Sequence, residues 1–346
     1  MEMSKLKKIL IYLISFITIC FILPAIFTNR TAKTSTNDIG EEKTTDKSSG
    51  ETVVETTENT STSEYGIINL LHTSTGEVEQ VKIDEYLCNV VSAEMPADFD
   101  NKALETQAIV ARTYTVFKIL NKKHQNADIC DSSTCCQAWI SKEDRLSRWA
   151  EDKRESNWEK IANAVKNTAG KIITYNNQPI NAFFHSNSGG ITEIPVNVWG
   201  GTGYPYLQSV QTSGEEGYTQ YASEIEFSEE ELINKLKEKY SDISIDFSND
   251  DEIKILEYTE SKRVKTVKFG NHQISGVEAR TILGLKSTNF EIIKSNGKIK
   301  FSVKGYGHGV GMSQTGADAM AKQGSSTEDI IKHFYTGVEI KDINSL

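Results

Sequence analysis

The sequence predicts an α+β fold: a single mixed domain with a β-rich core and an inserted α/β lobe, behind an N-terminal transmembrane helix. Three observations predict it. Ile299, Phe301 and Val303 alternate with Lys298, Lys300, Ser302 and Lys304, the period of a half-buried strand. Leu104, Ala108, Ala111 and Thr115 recur at helical spacing. Ile9 to Phe27 is a nearly unbroken apolar run preceded by Lys5, Lys7 and Lys8.

From the N-terminus, the apolar run approaches the roughly 20 residues that a bilayer core requires. The lysines ahead of it place the N-terminus in the cytoplasm and everything downstream outside. No small-x-small cleavage site follows, so residues 1–27 read as a retained anchor in preference to a signal peptide. Residues 28–64 are Thr, Ser, Glu, Lys and Gly with scarcely an aromatic, too polar to bury a core, and read as a flexible tether. Residues 65–346 are long enough for one large domain with an inserted lobe. The net charge of -10 argues against nucleic acid as a partner.

Within that domain, Cys88 to Pro96 places Glu94 on a turn leading into a helix of small residues, with Asp98, Asp100 and Asn101 available as caps. The helix carries Gln107, Arg112 and Tyr114, and an ion pair between Glu94 and Arg112 is the plain structural alternative to chemistry there. Trp158, Ile161, Ala162 and Val165 form a second helical face, ended by Gly170. Two strands joined near Asn176 and Asn177 follow, the second running into Ala182–Gly190 with His185 and Ser188. After them come Trp199-Gly200-Gly201 and Tyr204–Val210, which includes Tyr206 and Gln208. Flat aromatics beside Asn, Ser and His suit a sugar groove, though the same composition serves an ordinary β-rich core with polar loop ends.

Phe227 to Tyr240 reads as an acidic amphipathic helix inside a lobe of about 224–290 that shows no obvious chemistry. The strand 299–303 then runs into Lys304–Ala317, where glycines are strung between polar residues including His308 and Gln314. Such a run makes a tight turn or lets a ligand lie against the backbone, and its spacing fits neither dinucleotide nor P-loop patterns. Ser313 can cap a helix ending near Gly324. Ser325 and Glu328 make a capping box for a last helix through Tyr335, stopped by Gly337.

The spacing His-x5-Cys-x4-Cys-Cys, from His124 through Cys130 to Cys135 and Cys136, supplies three soft ligands fit for zinc, with water or a carboxylate in fourth place. Outside the cell, a disulfide from Cys130 to Cys135 or Cys136 is the alternative.

The blocks 87–96, 103–114, 183–190, 204–210, 280–285 and 305–317, taken together, resemble the SpoIID/LytB family, and the sporulation members of clostridia in particular. The resemblance implies a lytic transglycosylase that cuts peptidoglycan glycan strands between N-acetylmuramic acid and N-acetylglucosamine and leaves 1,6-anhydro ends, during engulfment of the forespore. It implies Glu94 as the catalytic acid and Arg112, Tyr206 and position 208 as residues important for activity. Gln208 departs from the Lys that sporulation homologues can carry. The sugar is expected between the Glu94 turn and the loops bearing His185, Ser188, His308 and Gln314, with Arg112 contacting substrate instead of pairing with Glu94. Zinc is implied at His124, Cys130 and Cys136, leaving Cys135 spare. Implied partners are stage II sporulation proteins P and M, and the implied location is the mother-cell membrane, facing the intermembrane space.

One carboxyl suffices for such a reaction if the sugar's own 6-hydroxyl replaces water, whereas ordinary glycoside hydrolysis uses two. Two other readings stay open: a non-catalytic glycan-binding activator of a cell-wall amidase, and a zinc-dependent hydrolase using metal-activated water.

Overall fold

A computed structural model describes residues 65–346; the expected anchor and tether, residues 1–27 and 28–64, lie outside the described residues. Among the described residues no helix is long and apolar enough to cross a membrane. The mixed helix and strand content is that of an α+β protein.

The helix Asn101–Leu120 is the axis of the main core. Asp100 caps it by accepting the Lys102 N–H at 2.8 Å. The small residues predicted one apolar face, but every residue from Ala103 to Val116 is buried. The helices Ile83–Glu94, Arg154–Asn167, Gln314–Lys322 and Thr327–Phe334 and the strand Lys171–Tyr175 all pack around it. Thr113 ties helix to strand, its hydroxyl accepting the Ile173 N–H at 2.9 Å.

At one side, Ile67–Leu71 pairs antiparallel with Val78–Lys82 and parallel with Ile129–Cys130, which brings Cys130 beside Leu71. At the other, Lys171–Tyr175 turns through Asn176 and Asn177 (φ 51° and 60°) into Gln178–Pro179 and pairs antiparallel with Glu339–Asp342. Two consecutive positive-φ residues are what a two-residue hairpin needs, and Asn tolerates them.

A second apolar cluster occupies Ala222 to Lys304, wider than the expected 224–290. It holds two antiparallel sheets, Asn289–Ser295 with Lys298–Lys304 and Ala222–Ser228, and Ile253–Tyr258 with Val264–Phe269 and His272–Ser275. The strand 298–304 belongs to this cluster because its buried Ile299, Phe301 and Val303 face Phe227 and Phe290. The acidic helix starts at Glu229, not Phe227: Phe227 lies in a strand, and Ser228 makes a capping box with Glu231. The last helix is also boxed one residue later than expected, by Ser326 and Asp329.

The glycine loop is held by a two-residue parallel pairing of Met312 with Phe184 and Ser313 with His185. Gly311 makes this pairing feasible. With φ at 71°, its chain passes so close to Phe183 that an added Cβ would lie 2.0 Å from the Phe183 carbonyl oxygen. Gly311→Ala is therefore expected to destabilise the protein by on the order of 3 kcal/mol, read as a lowered denaturation midpoint. A Cβ at Gly309 would lie 2.5 Å from the Arg263 guanidinium, which donates to the Ser188 carbonyl at 2.7 Å and fastens the second cluster to the loops.

Candidate active site

Glu94 is the last residue of the helix Ile83–Glu94, with Met95 turning extended behind it; the sequence suggested a turn position. Its Oε1 accepts the Ala138 N–H at 2.7 Å and its Oε2 accepts from Gln314 Nε2 at 3.3 Å. Burial raises the carboxyl above the ordinary range, and the two hydrogen bonds only partly offset this. No charged group contributes. Gln314 in turn donates to Gln107 Oε1 at 3.4 Å, while Gln107 Nε2 is buried without a partner.

The Glu94 carboxyl borders two cavities. One, of 840 Å³, is walled by Tyr114, Phe183, Trp199 and Tyr306, with Lys118, Arg280, His185, His308, Gln137 and Gln314 among its polar groups, and Cys135 and Cys136 also line it. Glu94 is the only carboxylate lining it. The other, of 740 Å³, is lined by Pro96, Asp98, Arg145, Trp149 and Lys153 as well as Glu94. Flat aromatic faces beside many hydrogen-bonding side chains suit the C–H faces and hydroxyls of pyranose rings.

The two histidines are neutral. Burial, then the charge of Arg263, holds His185 down to about 3, and burial takes His308 well below its usual value. His308 Nδ1 accepts the Val310 N–H at 3.0 Å, and its ring lies 5.1 Å from Trp199 and 5.7 Å from His185. They shape the wall and carry no charge to it.

Close to Glu94 along the chain from Ala138, the side chains of His124, Cys130, Cys135 and Cys136 converge, their ligand atoms all within 4.8 Å of one another. The four cysteines in the described residues, Cys88 included, are free thiols. Burial pushes Cys88 up to about 11, so it is a packing residue.

A family model described as "Stage II sporulation protein" matches residues 72–175, which include Glu94 and the cysteine cluster. The stage II sporulation protein D of Bacillus amyloliquefaciens is 36% identical over 282 residues, covering 80% of this chain and 79% of that protein. That of Bacillus subtilis (strain 168) is 35% identical over 281 residues, 80% of each. The chain belongs to the stage II sporulation protein D family. A further relative, named Amidase enhancer, from Bacillus subtilis (strain 168), is 28% identical over 73% of this chain, which spans 40% of that longer protein.

The sporulation family's implied site is only partly assembled around Glu94. His185, His308 and Gln314 line its cavity. Arg112 does not: its guanidinium is 1% exposed, donating to the carbonyls of Thr168 at 2.7 Å and Val165 at 3.3 Å and pairing with Asp84 at 3.0 Å. Its Nε is buried without a partner, and its ion pair is with Asp84, not Glu94. Ser188 is also spent, its hydroxyl donating to the buried Glu215 carboxylate at 2.5 Å. The Tyr206 hydroxyl accepts the Asn181 N–H at 2.9 Å inside the core, and Gln208 is exposed and donates to the Pro205 carbonyl at 2.9 Å. None of these four lines either cavity.

Sequence reasoning missed Lys118, Arg280, Tyr306 and the Trp149 wall as lining groups. Arg280 begins the block 280–285 that carries the family resemblance, but it lies in the lobe read as free of chemistry and was given no role there. Glu215 was also missed: it accepts from Ser188, Thr212, Ser313 and Thr315, and these bonds hold its carboxyl below the usual range despite burial. Its contribution to stability is present above the ordinary carboxylate pKa and lost as pH falls through the depressed folded value. Glu215→Gln is expected to flatten the acid limb of the unfolding midpoint against pH and to lower the midpoint at neutral pH.

Proposed function

We propose that the protein is a membrane-anchored lytic transglycosylase that cuts peptidoglycan glycan strands between N-acetylmuramic acid and N-acetylglucosamine, leaving 1,6-anhydro ends, in engulfment of the forespore. One observation carries the reading: a carboxyl raised by burial lines two cavities, the larger of them walled by aromatic rings. A strand laid through both would put a glycosidic bond at Glu94.

The chemistry needs one carboxyl. Protonated Glu94 gives its proton to the departing 4-oxygen of N-acetylglucosamine as the C1–O4 bond breaks. The muramic 6-hydroxyl then closes on C1 and its proton returns to the Glu94 carboxylate. No water is consumed, and the acid is regenerated. Gln314 can serve both states, since an amide that donates to the carboxylate can turn and accept from the acid. Gln107, whose Nε2 lacks a partner, can turn with it.

Asp98 is the only other carboxylate lining either cavity. If a second carboxyl were required, as in hydrolysis, Asp98 would be the candidate. Asp98→Asn is expected to leave the release of anhydro ends within about threefold of wild type, because this reaction has no role for it. A loss as large as that in Glu94→Gln would support a hydrolytic pair instead.

The donor set His124, Cys130 and Cys136, with Cys135 among them, fits zinc in type and closeness, and we include zinc in the proposal. Bound there, it would cross-link the segment that presents the Ala138 N–H to Glu94.

The relative named Amidase enhancer supports a second reading, a glycan-binding activator of a cell-wall amidase. Incubating the protein with glycan strands, with and without such an amidase, separates the two. Intact strands beside a faster amidase would favour the activator. Expected partners are stage II sporulation proteins P and M, and the expected location is the mother-cell membrane with residues 65–346 facing the intermembrane space.

A further inference from the structure

Cys135, which the family resemblance leaves spare, lies inside the cluster. Its Sγ is 3.6 Å from His124 Nε2 and 3.9 Å from Cys136 Sγ, and Cys136 Sγ is 3.5 Å from His124 Nε2. Zinc bonds of about 2.3 Å to sulfur and about 2.0 Å to nitrogen, in a tetrahedron, require edges of roughly 3.8 Å between sulfurs and roughly 3.6 Å from sulfur to nitrogen. The three observed edges are of that size.

We infer that Cys135 is the fourth ligand, and that the centre is a closed Cys3His site in which the protein itself occupies every position. Two neighbouring contacts favour thiolates there. The Cys130 N–H points at Cys136 Sγ at 3.5 Å, and Lys123 Nζ lies 3.4 Å from Cys135 Sγ. Three thiolates on a divalent ion leave one surplus negative charge, and the Lys123 ammonium offsets it where it falls. A spare thiol would have no use for that cation.

Two consequences follow for the chemistry beside it. A closed site has no position for water, so the metal holds structure instead of activating a nucleophile. Nor does the site need a carboxylate as fourth ligand, which leaves Glu94 free to carry a proton. Glu94 instead takes the Ala138 N–H, two residues beyond Cys136. The inference rests on the zinc proposal above and not on the cleavage reading.

Cobalt(II) loaded into full-length protein in detergent tests it without reference to activity. We expect one cobalt per chain, and near-ultraviolet thiolate-to-metal absorption that falls by about one third in each of Cys130→Ala, Cys135→Ala and Cys136→Ala. A Cys135→Ala spectrum superimposed on wild type, with the other two variants each losing about half, would overturn the fourth ligand and retain a three-ligand centre. Wild-type protein that takes up no zinc or cobalt would overturn the metal site itself and leave the Glu94 reading untouched. Should the variants fail to fold, wild-type protein suffices: Cys135 is expected to resist iodoacetamide when zinc-loaded and to be alkylated after chelation, each read by mass spectrometry of its peptide. Equal alkylation in both states would contradict the inference.

Discussion

Glu94→Gln is expected to reduce release of anhydro-ended fragments from purified sacculi by about 10²- to 10⁴-fold, the usual contribution of a positioned proton donor and acceptor. The same variant should fold at least as stably as wild type at neutral pH. Burial raises the Glu94 pKa in the folded state. Its contribution to stability is therefore fully present below the ordinary carboxylate pKa and is lost as pH rises through the raised one. Above the raised pKa the ionised group weighs against folding, and a glutamine does not. The unfolding midpoint should rise on substitution at pH above the raised pKa and change less below the ordinary carboxylate range. Activity should follow the same group, falling as pH rises through the Glu94 pKa. His185, held down to about 3, and His308, lowered by burial, are shifted toward the neutral form and away from that limb. A Glu94→Gln protein that is both inactive and unfolded would undercut the assignment, since the loss would then be structural.

Arg112→Met should do the opposite, costing about 3 kcal/mol of stability while activity per folded molecule survives. Most of that cost comes from the carbonyls of Thr168 and Val165, which lose their donor inside the core. The ion pair contributes less, because Asp84 is 49% exposed and solvent screens it. Asp84→Asn should accordingly cost less than about 1 kcal/mol. Arg112→Lys should recover only part of the loss, because one ammonium cannot span the carbonyls and Asp84 as the guanidinium fork does. Urea titrations and fragment release, measured on the same samples, decide the matter. An Arg112→Met protein as stable as wild type but inactive would return the guanidinium to the substrate.

What the residues made legible was local. The alternation of 298–304, the Asn176–Asn177 hairpin, the Asp100 and Ser313 caps and the spacing of Leu104, Ala108 and Ala111 each depend on neighbours a few positions away. The family blocks singled out Glu94, His185, His308 and Gln314, which the fold brings to one cavity. What stayed hidden was decided at a distance. Arg112 finds Asp84 twenty-eight positions upstream, so its role depends on how two helices pack. Arg280 reaches the cavity only because a separate apolar cluster docks beside the glycine loop. The small residues of the helix 101–120 suggested one apolar stripe, whereas they are small because elements pack on every side of it. The spacing offered one of the adjacent pair Cys135 and Cys136 as a ligand without showing how close they lie; the turn at Ser132, whose carbonyl accepts both the Cys135 and Cys136 N–H groups, brings their sulfurs within 3.9 Å.

The central claim is that Glu94 moves a proton between two sugar oxygens with no water taken up. Digesting glycan strands with the full-length protein in ¹⁸O-enriched water, and weighing the new ends by mass spectrometry, tests this most directly. The account predicts ends lighter than hydrolytic ones by one water and free of the heavy isotope. Hydrated ends carrying ¹⁸O, or strands left uncut, would contradict it.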